Sequence, residues 1–144
     1  MKIQNAEYTN QDYQEHFDFW PFELSNFQKW AIDGIINNKN IVITAHTGSG
    51  KTLPAEFAVR HFTSKGKKVI YTTPIKALSN EKFNDLQNKF PNISFGILTG
   101  DIKYNPEADV LIMTTEILYN TLFQKMMLNK NVIGADKLEL HFDI

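Results

Sequence analysis

The sequence contains no cysteine, which excludes disulfide scaffolds, thiolate metal sites and cysteine nucleophiles. It has no excess of one charge: 15 basic residues against 16 acidic give a net charge of -1, so there is no bulk basic field and any nucleic-acid site must be local. It has no long apolar run, since Ile41-Val42-Ile43 and Val110-Leu111-Ile112-Met113 are far too short to span a bilayer. No apolar stretch follows the lysine near the N-terminus, so a signal peptide is not expected. His16, His46, His61 and His141 show no zinc-ligand spacing. Internal repeats and low-complexity tracts are also missing. Arginine occurs once, at Arg60, while Lys, Asn and Ile supply 43 of the 144 residues. Lys and Arg are not equivalent at phosphate sites, so this skew fits the composition of an AT-rich genome better than a function. A protist, a bacterium or a large DNA virus would suit it. An intracellular protein is expected, with cytoplasm and nucleus not distinguished.

What is present describes one ordinary globular domain, 42% hydrophobic and 22% charged. The first twenty residues are polar and aromatic and read as an irregular arm. A helix is expected from Ser25 to Asn37, with Phe27, Trp30, Ala31, Ile35 and Ile36 on one stripe. The spacing predicts strands at Ile41–Thr44, Val69–Thr73, Ile93–Leu98 and Asp109–Thr114, separated by helices after Thr52, Pro74 and Thr115. Short apolar strands alternating with helices of ten or more residues imply an α/β fold with a parallel sheet, whose ligands bind beyond the strands' carboxyl ends.

The segment Ala45-His46-Thr47-Gly48-Ser49-Gly50-Lys51-Thr52 matches G-x-x-x-x-G-K-[ST] except at Ala45. Gly48 and Gly50 allow backbone angles that turn successive N–H groups inward around an anion, together with Thr47 and Ser49. Lys51 supplies charge to the β- and γ-phosphates, and the Thr52 hydroxyl is placed for Mg²⁺. A strand-to-helix turn that binds nothing needs one glycine, and has no use for Gly-Lys-Thr at the helix start. This is read as a nucleotide phosphate site.

Around this loop the chain resembles superfamily 2 helicases, whose first motif often carries alanine in place of the first glycine. Phe22 through Ile32 looks like their adenine-recognition segment. Tyr71-Thr72-Thr73-Pro74-Ile75-Lys76-Ala77-Leu78-Ser79-Asn80-Glu81-Lys82 closely resembles motif Ia of DExH-box RNA helicases of the superkiller and exosome-associated type. Gly96 through Asp101 and Asn105 through Leu118 resemble that group's motif Ib region. The resemblance implies a RecA-like P-loop domain, a parallel sheet flanked by helices, incomplete at its C-terminus. Residues 1–21 would be an arm, and residues 22–144 the first RecA-like domain, truncated before the Walker B strand. It implies ATP and Mg²⁺ as ligands, with Lys51 and Thr52 catalytic, Thr52 on the metal, Phe22 stacked on adenine and Gln28 reading its edge. It further implies RNA, or a single-stranded nucleic acid, held by Pro74, Lys76, Ala77, Thr99, Gly100, Asp101, Thr114, Thr115 and Glu116. A second RecA-like domain and an RNA-decay or processing complex are the partners implied.

Several of these residues have a plainer alternative. Ser25-x-x-Gln28 is also a capping box, Phe22 also suits a buried aromatic staple, and Lys76 also suits a solvated lysine. Thr99-Gly100-Asp101 reads equally as a turn, and Thr114-Thr115-Glu116 as a helix cap. The four histidines are read as loop or surface residues. No Asp-Glu-x-His occurs, and Asp136, Glu139 and Asp143 are the only late acids. Leu138–Ile144 alternates like a half-exposed strand, which would protect a sheet edge after the fourth strand if it paired there. The leading reading is an ATP-dependent RNA helicase. A DNA helicase of the same superfamily and a non-catalytic nucleotide-binding interaction module are the alternatives.

Overall fold

A computed structural model describes residues 2–128 and 140–142 of the chain. They fall into two units, Met1–His61 and Phe62–Ile144.

In the first unit, α1 (Gln14–Phe17) precedes α2 (Asn26–Ile36), and α3 (Thr52–Ser64) begins just after the glycine loop. The α2 helix buries Gln28, Ala31, Ile32, Gly34 and Ile35 on its expected stripe. The arm preceding it is irregular apart from α1, yet its aromatics are anchored. Tyr8 is buried, with its ring edge-on to Phe17 at 5.4 Å and to Trp30 at 4.8 Å. Its phenol donates to Asp33 Oδ2 at 2.9 Å, and Trp30 Nε1 donates to the Ala6 carbonyl at 2.9 Å. Edge-on aromatic pairs add about 0.5–1.5 kcal/mol beyond buried area. Burial, then the bond to Asp33, raises the Tyr8 phenol well above its ordinary 10.0, so stability drawn from it is complete below pH 10 and falls at higher pH.

The strand expected at Ile41–Thr44 does not form: residues 39–46 carry no regular structure, and Val42 is 82% exposed. A parallel strand needs neighbours on its backbone, and the sheet takes no strand from these residues. Ile41 instead packs on α2, where a Cβ at Gly34 would lie 2.9 Å from its Cδ1. His16 and His61, expected at the surface, are half-buried around Phe57, with His61 stacked on that ring at 5.3 Å and His16 edge-on at 5.7 Å. Arg60, the single arginine, lies 3.5 Å from the centre of the Phe19 ring, and burial lowers its pKa.

The second unit is a sheet of five strands: β1 (Val69–Thr73), β2 (Phe95–Leu98), β3 (Lys103–Tyr104), β4 (Val110–Thr114) and β5 (Leu140–Phe142). Their order is β3-β2-β4-β1-β5. β1, β2, β4 and β5 run parallel, whereas β3 pairs antiparallel to β2, so the sheet is mixed rather than wholly parallel. β4 is therefore central and not an edge. β5 falls within the expected strand Leu138–Ile144 and pairs with β1, while Asp136, Glu139 and Asp143 lie outside the described residues. The helices α4 (Lys76–Lys89) and α5 (Thr115–Leu128) pack on the sheet. The parallel strands are apolar because they are covered: Val110 and Ile112 are fully buried, and Val69, Tyr71, Phe95 and Ile97 nearly so.

The antiparallel β3 escaped the sequence reading because two exposed residues carry no periodicity. Its presence is fixed at Gly96, where a Cβ would sit 2.0 Å from the Asn105 carbonyl oxygen. Gly96→Ala is expected to destabilise the protein by roughly 1–3 kcal/mol, read as a lower urea midpoint with unchanged slope.

Candidate functional site

The glycine loop belongs to the first unit and is shaped by its own polar groups. Gly48 and Gly50 have φ values of 82° and 85°, a region that suits glycine. At Gly50 a Cβ would also lie 2.5 Å from Gln28 Nε2, so this position excludes side chains on two grounds. The Lys51 ammonium turns back over the loop and donates to the carbonyls of Ala45 at 2.7 Å and His46 at 2.9 Å. Ser49 Oγ is buried with no hydrogen-bond partner. A buried hydroxyl in that state costs about 1–3 kcal/mol, and a phosphate oxygen would relieve it. Thr52 opens α3 half-buried, and Thr47 is exposed.

Gln28 joins the segment before α2 to this loop. Its Oε1 accepts from the Ser25 N–H at 2.9 Å, which is one half of a capping box. Its Nε2 donates to the Gly50 carbonyl at 3.0 Å. Each amide atom keeps a second lone pair or hydrogen beyond these two bonds. Phe22 is 55% exposed and is no buried staple. It lines a cavity of about 440 Å³ with Trp20, Leu24 and Lys29, but Gln28 and the loop residues are not part of that lining. The structure thus brings Gln28 to the phosphate loop.

The second cluster lies at the carboxyl ends of the parallel strands in the second unit. The register places Thr73 opposite Thr114 and Leu98 opposite Met113, so the segments that follow β1, β2 and β4 emerge along one edge. Pro74, Lys76 and Ala77 are exposed there, as are Gly100, Asp101, Thr115 and Glu116, while Thr114 is half-buried. Thr99 is buried, and its hydroxyl donates to Asp101 Oδ1 at 3.2 Å. Lys76 forms an ion pair with Asp101 Oδ2, so it is not merely a solvated lysine. The lysine's hydrogen bond, more than its field, holds the exposed Asp101 carboxyl below its ordinary value. Thr115 Oγ1 donates to the Thr73 carbonyl at 3.1 Å, tying the start of α5 to the end of β1.

Residues 100–101 bend between β2 and β3, with Thr99 N–H donating to the Ile102 carbonyl at 2.9 Å. One supporting residue was missed. Ser79 is fully buried and shares a 2.6 Å hydrogen bond with Thr73 Oγ1, which also donates to the Ile75 carbonyl at 3.0 Å. These bonds fix the bend between β1 and α4. A serine in the first turn of a helix is too common a signal to have marked it. Among the described residues no group of acids and histidines could hold a metal ion by itself, and no helix is long and apolar enough to cross a membrane.

The DEAD/DEAH box helicase profile matches residues 25–139. The antiviral helicase SKI2 of Saccharomyces cerevisiae is 43% identical over 123 residues, covering 85% of this chain and 10% of SKI2. Superkiller complex protein 2 of Mus musculus is 47% identical over 104 residues, covering 72% of this chain and 8% of its own length. The exosome RNA helicase MTR4 of Homo sapiens is 39% identical over 123 residues, which are 85% of this chain and 12% of MTR4. The chain thus spans about a tenth of the length of these curated relatives. Among solved structures, the Sulfolobus solfataricus SWI2/SNF2 ATPase core in complex with dsDNA superposes with a TM-score of 0.51 at 20% identity, over 67% of this chain and 22% of that one. That likeness concerns the fold, a RecA-like arrangement of strands and helices. A profile match over most of the chain, with relatives at this level of identity, shows that the chain belongs to the DEAD/DEAH box helicase family.

Proposed function

We propose that the chain is the ATP-binding part of an ATP-dependent RNA helicase, in which ATP hydrolysis drives translocation along nucleic acid and unwinding. The observation that carries this reading is the glycine loop: an anion nest with a buried, unpartnered Ser49 hydroxyl and a lysine held by neutral carbonyls. Phosphate oxygens would satisfy the first and, being charged, bind the second more strongly than carbonyls do. The Thr52 hydroxyl suits Mg²⁺, which keeps most of its waters and takes few protein ligands. When bound, the ion neutralises charge between the β- and γ-phosphates. Gln28 and Phe22 are assigned to adenine, and the carboxyl edge around Lys76 and Thr115 to a nucleic-acid backbone. The names of SKI2, superkiller complex protein 2 and MTR4 support RNA as the substrate and an RNA-decay or processing complex as the setting. In this reading the Walker B acids and the second RecA-like domain, with its arginine finger, come from outside residues 1–144.

Three outcomes are expected. In the protein carrying those further elements, Lys51→Ala abolishes ATP turnover and leaves the circular dichroism spectrum unchanged, because the lysine stands at a loop and its loss opens no core cavity. Turnover at the wild-type rate would overturn the phosphate-site assignment. Gln28→Ala weakens ATP about tenfold and GTP much less, since the amide's donor and acceptor match adenine. It also costs about 1 kcal/mol of stability through the lost cap and loop contact. A loss of stability with unchanged ATP/GTP selectivity would leave Gln28 a cap alone. Finally, residues 1–144 by themselves show no ATPase activity, because an arginine finger alone is worth about 10³–10⁵ in rate. RNA-stimulated phosphate release from residues 1–144 would refute the assignment of those acids to other segments.

A further inference from the structure

The Lys76–Asp101 pair presents a puzzle if the carboxyl edge receives a nucleic-acid backbone, because a carboxylate repels phosphate. Lys76 is the first residue of α4, with Ile75 as N-cap. The open N–H groups of a helix start favour an anion and disfavour a cation. Lys76 therefore sits in an unfavourable place unless a negative group is close. Asp101 supplies it from the turn between β2 and β3. The turn in turn holds Asp101: Thr99 Oγ1 donates to Oδ1 at 3.2 Å while Oδ2 takes the lysine. Thr99 is itself buried, so the carboxylate's support comes from a fixed side chain. Both charged groups are exposed to solvent, 48% for the lysine side chain and 62% for the aspartate, so a phosphate can reach the pair without any rearrangement of the sheet.

We propose that Asp101 is not a nucleic-acid contact but an internal stand-in for phosphate, occupying Lys76 until a backbone phosphate displaces it. The inference rests on the reading of this edge as a nucleic-acid site. It changes the sign of the role assigned to Asp101: the residue opposes binding and sets a threshold for it. A carboxylate and a phosphate offer the ammonium the same kind of oxygen, and the phosphodiesters of a strand offer many in sequence. The exchange thus swaps one exposed ion pair for another, with small differences in free energy. Encounters too brief or too sparse in phosphates leave the lysine with Asp101.

The test is binding of fluorescent single-stranded oligo(A) RNA, in moderate salt, to the wild-type protein, Asp101→Asn, Lys76→Gln and the double variant. Asp101→Asn is expected to tighten binding about two- to five-fold, the range that breaking an exposed pair allows. Lys76→Gln weakens binding, and in its presence Asp101→Asn tightens it by clearly less than in the wild type, because only the direct repulsion is then removed, giving a non-additive cycle. An Asp101→Asn variant that binds equally or more weakly, beside a binding wild type, overturns the displacement while leaving the nucleic-acid edge intact. A folded wild type that binds no oligo(A) removes the nucleic-acid reading of this edge, and the displacement falls with it. A second readout needs no affinity difference. By carboxyl NMR, the Asp101 pKa should rise toward its ordinary value in Lys76→Gln, and again in the wild type when oligo(A) is added. A pKa that stays low with oligo(A) bound shows that the pair persists in the complex, which also overturns the proposal.

Discussion

Parallel pairing of β2, β4 and β1 sets the direction of these strands in the second unit, and the polar edge depends on it. With Thr73 beside Thr114 and Leu98 beside Met113, three strands end at one level. The loops that follow must emerge together, whatever their sequences. Segments 74–77, 99–101 and 115–116 are brought together there by backbone hydrogen bonds, and side-chain bonds then refine the arrangement. Thr115 reaches back to the Thr73 carbonyl, Ser79 closes the bend after β1, and Asp101 meets Lys76 across 25 residues of sequence. The bonds of Thr115 to Thr73 and of Lys76 to Asp101 could not form in a sheet of another register.

A different constraint governs the first unit. There the glycine loop has no strand beneath it, and its shape is kept by local donors and acceptors. Lys51 takes two carbonyls of its own loop, and Gln28 holds a third at Gly50. A charged donor bonded to carbonyls contributes about 1.5–3 kcal/mol where water is excluded, and less where it is not. Among the loop's buried side-chain atoms, the Ser49 hydroxyl has no partner. An anion that occupied the nest would replace the lysine's neutral acceptors with charged ones and supply the missing bond.

The helices were the most legible part of the sequence. The α2, α3, α4 and α5 stripes repeat over several turns, and the capping pair Ser25 and Gln28 marks the start of α2. The strands β1 and β4 were legible because a strand buried on both faces is continuously apolar. Ile41–Thr44 has the same composition and yet is no strand, since composition reports the need for burial and not the presence of neighbours. β3 is too short and exposed to leave a pattern, and it is evident only from its antiparallel pairing with β2. The arm looked irregular because its anchors, Tyr8 and Phe17, meet residues of α2 and each other without periodicity.

By itself the sequence determined the chemistry: a glycine loop ending in Lys51 and Thr52, and a set of small, polar and basic residues after apolar strands. Glycine tolerance and side-chain charge are properties of single residues and need no neighbours to be read. What the tertiary structure alone decided is the partnership among those residues. It set Gln28 against Gly50, and it gave Lys76 to Asp101. Such partners lie 22 and 25 residues apart along the chain, and only the packing of α2 and the register of the sheet bring them within bonding distance. A hydrogen bond acts over about 3 Å, a scale on which spacing along the chain says nothing.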